Sequence, residues 1–293
     1  MQPRRLWRAR QALQRGLHGS DVETASAADI GFGHGRKYIE EVLFTHLLDT
    51  LGAKWRQLPL LPHLRALLPG MCALCHGWGR QRVCDECTRR FTVTVPRCKR
   101  CALQVPHGVT FCGACLQSPP PFAGALAAVD YAYPWNGLIT HFKFHGGLDL
   151  ADALTLRLLQ AHHDEALPLP ELLLPAPLSH ARLRERGYNQ AWELTWRAGR
   201  ALHCAVDSTL LLRVIDTPHQ LALPPDQRIG NVRGAFAVDA RRRGELAGRS
   251  VTVVDDVMTT GATAAEITRV LLHAGATEVR IWVVARTPRP GTR

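Results

Sequence analysis

The chain has 293 residues, 46% of them hydrophobic and 21% charged, which is enough apolar mass for a core and more length than one small domain needs. No run approaches the roughly 18–20 apolar residues that a bilayer span requires, and the arginine-rich start lacks the apolar stretch of a secretory signal, so a soluble, cytoplasmic protein is expected. A formal net charge of +11 suits contact with nucleic-acid phosphates.

Residues 1–66 form an N-terminal extension whose role the pattern leaves open. Gly31, Gly33 and Gly35 mark a flexible stretch. Over 38–51 the apolar residues Tyr38, Val42, Leu43, Leu47 and Leu51 fall on one face, which predicts a peripheral helix. An alternative is that translation begins near 64–71 and that the extension is a start-site artefact.

Residues 67–117 hold eight of the nine cysteines. They run Cys72-x2-Cys75, Cys84-x2-Cys87, Cys98-x2-Cys101 and Cys112-x2-Cys115, with eight, ten and ten residues between the pairs. A CxxC knuckle aims two sulfurs at one point, and two knuckles close a tetrahedron of thiolates about 2.3 Å from Zn²⁺. Four knuckles therefore predict two closed structural zinc sites, with the first two knuckles sharing one ion and the last two the other. Interleaved pairing stays open. Disulfides are disfavoured without an export signal, and a redox CxxC normally stands alone. A module this small with few large apolar side chains should not fold without metal. Cys204, outside the cluster, reads as a small buried hydrophobe.

Ser118-Pro119-Pro120-Pro121 breaks any helix and reads as a linker. From residue 122 to 293 strands and helices alternate. Strands are expected at Ala125–Tyr133, Leu172–Pro177, Val251–Asp255 and Val279–Ala285, and helices at Leu148–Leu159, Asn189–Leu202 and Thr263–Ala274. That alternation predicts an α/β domain with a parallel sheet flanked by helices.

The segment Val251–Thr263 carries the clearest chemistry. An apolar strand ends in Asp255 and Asp256, at the strand edge where open α/β sheets bind ligands. Paired carboxylates there can accept hydrogen bonds from both hydroxyls of a ribose. Thr259, Thr260, Gly261, Ala262 and Thr263 then turn into a helix, whose first N–H groups suit a phosphate. The whole reads as a ribose 5-phosphate site. It is not a Walker A loop, because the lysine of that motif is missing.

The segment resembles the signature by which type I phosphoribosyltransferases bind 5-phosphoribosyl-1-pyrophosphate (PRPP). With four CxxC knuckles ahead of it, the chain resembles the ComF family of competence-related proteins over about residues 68–287. His141–Gly146 is similar to that family's lysine-bearing segment. Arg182 and Arg186-Gly187-Tyr188-Asn189-Gln190 are similar to its arginine-rich stretch, and Gln220, Arg228, Asn231 and Phe236 match a further segment. The resemblance implies Asp255 and Asp256 at the catalytic centre holding ribose, Thr259–Thr263 on the 5-phosphate, and Mg²⁺ chelated by the pyrophosphate. It places Lys143, Arg182, Arg186, Asn189, Gln190, Gln220, Arg228 and Asn231 at the pyrophosphate or in the hood that closes over it. Arg182 and Arg186, four apart, share a face if helical, and guanidinium forks suit phosphate oxygens. The plain alternative for these cations is a solvated basic face.

Three functions compete. One is a PRPP-binding protein of DNA uptake or natural transformation, in contact with single-stranded DNA and with uptake-machinery proteins. The second is a nucleobase-salvage phosphoribosyltransferase whose acceptor no motif identifies. The third is a PRPP-sensing regulator without turnover. A double zinc module in front favours the first.

Overall fold

The computed structural model describes residues 70–215 and 232–289. The helix expected over 38–51 and the hood residues Gln220, Arg228 and Asn231 lie outside the described residues.

The cysteine module opens with a two-residue antiparallel ladder, β1 (Gly70–Met71) with β2 (Trp78–Gly79). Two short helices follow, α1 (Asp85–Phe91) and α2 (Gly113–Gln117). Each begins directly after a cysteine, with Cys84 and Cys112 as the N-caps.

Five strands then make one parallel sheet: β3 (Gly124–Asp130), β4 (Leu172–Pro175), β5 (Ala205–Val206), β8 (Ser250–Met258) and β9 (Glu278–Arg286). Their spatial order is β3-β9-β8-β4-β5. The outer hairpin-like pair β6 (Leu211–Arg213) and β7 (Phe236–Val238) is antiparallel and flanks the segment outside the described residues. The helices are α3 (Trp135–Phe144), α4 (Ala151–Asp164), α5 (His180–Arg186), α6 (Gln190–Leu202) and α7 (Ala262–His273).

Neighbouring residues of the central strands serve opposite faces. Leu172, Leu174, Val253 and Ile281 pack on one side with Ile267 and Leu271 of α7. Leu173, Val254 and Trp282 pack on the other with Leu154 of α4, Leu194 of α6 and Phe142 of α3. Burial on both sides is why these strands read as continuous apolar runs rather than alternating ones.

Several boundaries moved for physical reasons. The strand expected at Val251–Asp255 runs through Met258, because pairing with β9 continues to Met258 opposite Arg286. Asp255 and Asp256 therefore sit within the last part of the strand. The first strand stops at Asp130, where Pro134 opens the way into α3. The lysine-bearing segment His141–Gly146 is largely the last turn of α3, a helix that propensity concealed. The fourth helix starts later and runs on through His162 and His163, behind a 3₁₀ turn at Leu148–Leu150. Phe236, which ends the further matching segment, is buried in the core.

The order of the strands locates a binding cleft. From β4 the chain moves outward to β5, whereas from β8 it moves the opposite way to β9. The connections diverge between β4 and β8, and their carboxyl ends leave a crevice there.

Candidate ribose-phosphate cleft and cysteine tetrads

A cleft of about 220 Å³ opens at that divergence. Pro177 and Leu178 follow β4 on one wall, and Asp255, Asp256 and Thr259–Gly261 form the other. Thr260 Oγ1 accepts from the N–H of Ala262, which tightens the turn. Gly261 adopts φ +84°, a left-handed conformation natural to glycine, and caps α7 without a side chain over the helix start. A Cβ there would bring bulk and strain into the place where a phosphate would approach. Thr263 also lines the cleft, whereas Ala262 turns into the core.

The cations come from the opposite side. Ser179 caps α5 by accepting from the N–H of Arg182. Arg182 and Arg186 then emerge on one face of that helix and both line the cleft. Arg186 donates to Gln190 Oε1 at 3.1 Å and lies 4.7 Å over the ring of Phe144. Gln190 donates to the carbonyl of Lys143, and Asn189 to that of Ala176, so α3, α5 and α6 are tied at the rim. Lys143 crosses the cleft, with Nζ 2.9 Å from Asp256 Oδ1. Asp256 is nearly buried, at 6% exposure. Burial, followed by the charge of Asp256, pushes the Asp255 carboxyl up to about 7, against the opposing pull of Lys143. Two adjacent acids with a lysine ion-paired to one of them offer hydrogen-bond acceptors for hydroxyl groups.

All the described residues expected at this site converge on it except Ala262. Tyr131, Phe144 and Arg213 line it too and were missed. Only Phe144 left a sequence signal, as an aromatic next to the lysine.

The eight clustered cysteines form two tetrads. Cys72, Cys75, Cys84 and Cys87 bring their sulfurs within 4.8 Å of one another, as do Cys98, Cys101, Cys112 and Cys115. The Cys75–Cys84 and Cys101–Cys112 sulfurs are 3.7 and 3.6 Å apart. That is far beyond a disulfide bond and close to the ~3.8 Å edge of a tetrahedron with ~2.3 Å metal–sulfur bonds. Backbone N–H groups of Cys84 and Cys112 donate to Cys72 and Cys98 Sγ, as zinc knuckles do. Burial raises the Cys72 thiol, but N–H donors from Cys75, Cys84 and Leu74 outweigh it and bring it down to about 6. Burial, hydrogen bonds to the other three thiols and the Cys72 charge drive Cys87 up to about 12. Four sulfurs so close cannot all ionise unless a cation sits among them. The residues fit two tetrahedral, closed zinc sites with no position for water. Cys75→Ser should therefore lower zinc from two ions per chain to one by atomic absorption, and two retained ions would contradict the assignment.

No helix among the described residues is long and apolar enough to cross a membrane.

Comparison with known proteins agrees with both halves. A double zinc ribbon domain model matches residues 63–116, and a phosphoribosyl transferase domain model matches residues 216–292. DNA utilization protein YhgH of Escherichia coli K12 is 36% identical over 227 residues, covering 75% of this chain and 98% of that protein. The protein of the same name from Salmonella typhi is 36% identical over 230 residues, with 75% and 98% covered. Competence protein F of Haemophilus influenzae is 32% identical over 222 residues, with 73% and 96% covered. With such identity over nearly the full length of these relatives, a parallel phosphoribosyltransferase-type sheet and a paired cysteine module ahead of it, the chain belongs to the ComF family of competence and DNA-utilization proteins.

Proposed function

We propose that this protein binds PRPP with Mg²⁺ in the cleft between β4 and β8 and works in the use of external DNA. The observation that carries the reading is the convergence, at one topological switch point, of two carboxylates, a bare helix start and cations from α3 and α5. Asp255 and Asp256 accept from the ribose hydroxyls. The turn Thr259–Gly261 and the start of α7 take the 5-phosphate through N–H and hydroxyl donors. Lys143, Arg182 and Arg186 face the pyrophosphate. Mg²⁺, when bound, neutralises pyrophosphate charge and supports its departure.

The DNA role is supported by the names of the relatives and by the surface of the cysteine module. Trp78 is 77% exposed and Phe111 is partly exposed, with Arg100 over its ring. Arg80, Arg89 and Arg90 are exposed near by in sequence. Aromatic faces among arginines suit single-stranded DNA through stacking and phosphate contacts. Such binding should weaken linearly in log–log against salt.

Titration calorimetry with PRPP and Mg²⁺, on protein of counted zinc content, tests the cleft. Saturable binding at one site per chain is expected. Absence of binding by folded, zinc-loaded protein would overturn the reading and leave a zinc-dependent adaptor. Release of pyrophosphate on adding free nucleobases would move the assignment to a salvage enzyme.

A further inference from the structure

Arg286, the last residue of β9, is 5% exposed. A buried guanidinium must find acceptors, and those found here are backbone carbonyls, with the Cys101 side chain also beside it. Its Nε donates to the carbonyl of Cys101 at 2.8 Å. Its Nη1 donates to the carbonyls of Met258 at 2.9 Å and Thr287 at 3.0 Å, and to that of Thr259. Cys101 belongs to the second tetrad. Met258 ends β8, and Thr259 begins the phosphate turn. One side chain therefore joins a metal-ligand knuckle to the turn that would hold the 5-phosphate.

The surroundings make the joint stiff. Ala102, next to Cys101, is fully buried in the same core cluster as Met258. Arg97 donates to the carbonyl of Ala102 at 3.1 Å and to Asp130 Oδ1 at 2.8 Å, fixing the knuckle to the end of β3. Gly124 is needed on β3 because a Cβ there would stand 2.9 Å from the carbonyl of Lys99. The first tetrad docks elsewhere. Cys72 and Cys87 pack in the cluster containing α3, and Trp135 donates to the carbonyl of Phe91.

We propose that Arg286 is a positioning residue that couples the second cysteine tetrad to the phosphate turn, so that metal in that tetrad and ribose phosphate in the cleft hold each other in place. The proposal rests on the reading of the cleft as a PRPP site. Coupling between two binding sites is reciprocal, so it can be read from either end.

The experiment uses the full chain with both zincs counted, and follows zinc transfer to a colorimetric chelator with and without saturating PRPP and Mg²⁺. PRPP should slow release of one zinc by at least about fivefold and leave the other unchanged. The protection should persist in Cys75→Ser, whose remaining zinc occupies the second tetrad. It should vanish in Arg286→Gln, and also in Arg286→Lys, which keeps the charge but cannot reach carbonyls on both sides. A merely structural arginine would lower stability in both variants without removing the selective protection. The proposal is overturned if wild-type protein binds PRPP by calorimetry yet releases both zincs at unchanged rates. Equal protection in Arg286→Gln would also overturn it. If wild-type protein binds no PRPP, the cleft reading itself has failed, and calorimetry shows this before any zinc is measured. Should Arg286→Gln not fold, Arg286→Lys carries the same test, and retained protection in it would overturn the proposal.

Discussion

At pH 8, Asp255→Asn is expected to raise the melting temperature by a few degrees while weakening PRPP binding roughly 10- to 100-fold. The two effects share one cause. In the folded protein, burial and the neighbouring Asp256 charge lift the Asp255 carboxyl from an ordinary value near 3.8 to about 7. Between those values the folded state holds a proton that the unfolded state has released, so stability falls as pH rises through the window. Above pH 7 the folded protein carries the cost of an ionised Asp255 that is only partly exposed in the cleft. Asparagine removes it, and a gain of about 1 kcal/mol raises the melting temperature by about 2–4 °C in a protein of this size. Binding responds in the other sense. A hydrogen bond to a charged acceptor contributes about 1.5–3 kcal/mol, and the ribose hydroxyl loses that acceptor. Asp256→Asn in addition should abolish measurable affinity without unfolding the protein. The pH profile adds a signature. Wild-type affinity should rise through about pH 7, above the titration of the ligand's own phosphates near ~6. Asp255→Asn should keep only the lower step. A fall in melting temperature at pH 8 would contradict the raised Asp255 carboxyl, and unchanged affinity by calorimetry would remove Asp255 from the ribose site.

The parts of this molecule that were legible in sequence are those written in short range. Val251, Val253 and Val254 are apolar because β8 is covered on both faces, and the acids follow them directly. The CxxC spacing states the knuckles, and both tetrads close between sequential pairs. Arg182 and Arg186 sit one turn apart, so a helix alone brings them to one wall. Less legible was α3. Gly137, Ile139 and Thr140 are poor helix formers, and the helix exists because Trp135, Leu138, Ile139 and Phe142 find a buried face. Illegible were the contacts that join distant segments. Arg286 meets the Cys101 carbonyl across 185 positions, and no local pattern marks an arginine at a strand end as a buried joint. The proline-rich stretch at 118–121 reads as a linker and says nothing of whether its two sides pack together. They do pack, with Ala102 in the core and the Lys99 carbonyl against Gly124 of β3. Composition reports the turn, but only packing reports whether the two sides touch.

Lys143→Gln is expected to weaken PRPP binding roughly 10- to 100-fold while leaving ribose 5-phosphate binding equal or stronger. The lysine lies 2.9 Å from Asp256 with only part of its side chain exposed, so without ligand it occupies an acceptor that a ribose hydroxyl needs. A ligand bearing only a ribose and a 5-phosphate must compete with that ion pair and offers the ammonium nothing in return. PRPP brings a pyrophosphate, which gives the ammonium a new anion as it leaves Asp256. A charge-assisted contact of this kind is worth about 1.5–3 kcal/mol, which sets the expected loss for PRPP. The same contact discriminates between the two ligands, because only one rewards the displacement. Lys143 also opposes the upward push on Asp255. Its removal should move the upper step of the pH profile above 7, so both ligands are best compared near pH 8.5, where Asp255 is ionised in either protein. Equal losses for PRPP and ribose 5-phosphate would mean that Lys143 only holds Asp256 in place. Opposite responses would show the lysine acting as a latch on the ribose acceptors that pyrophosphate releases.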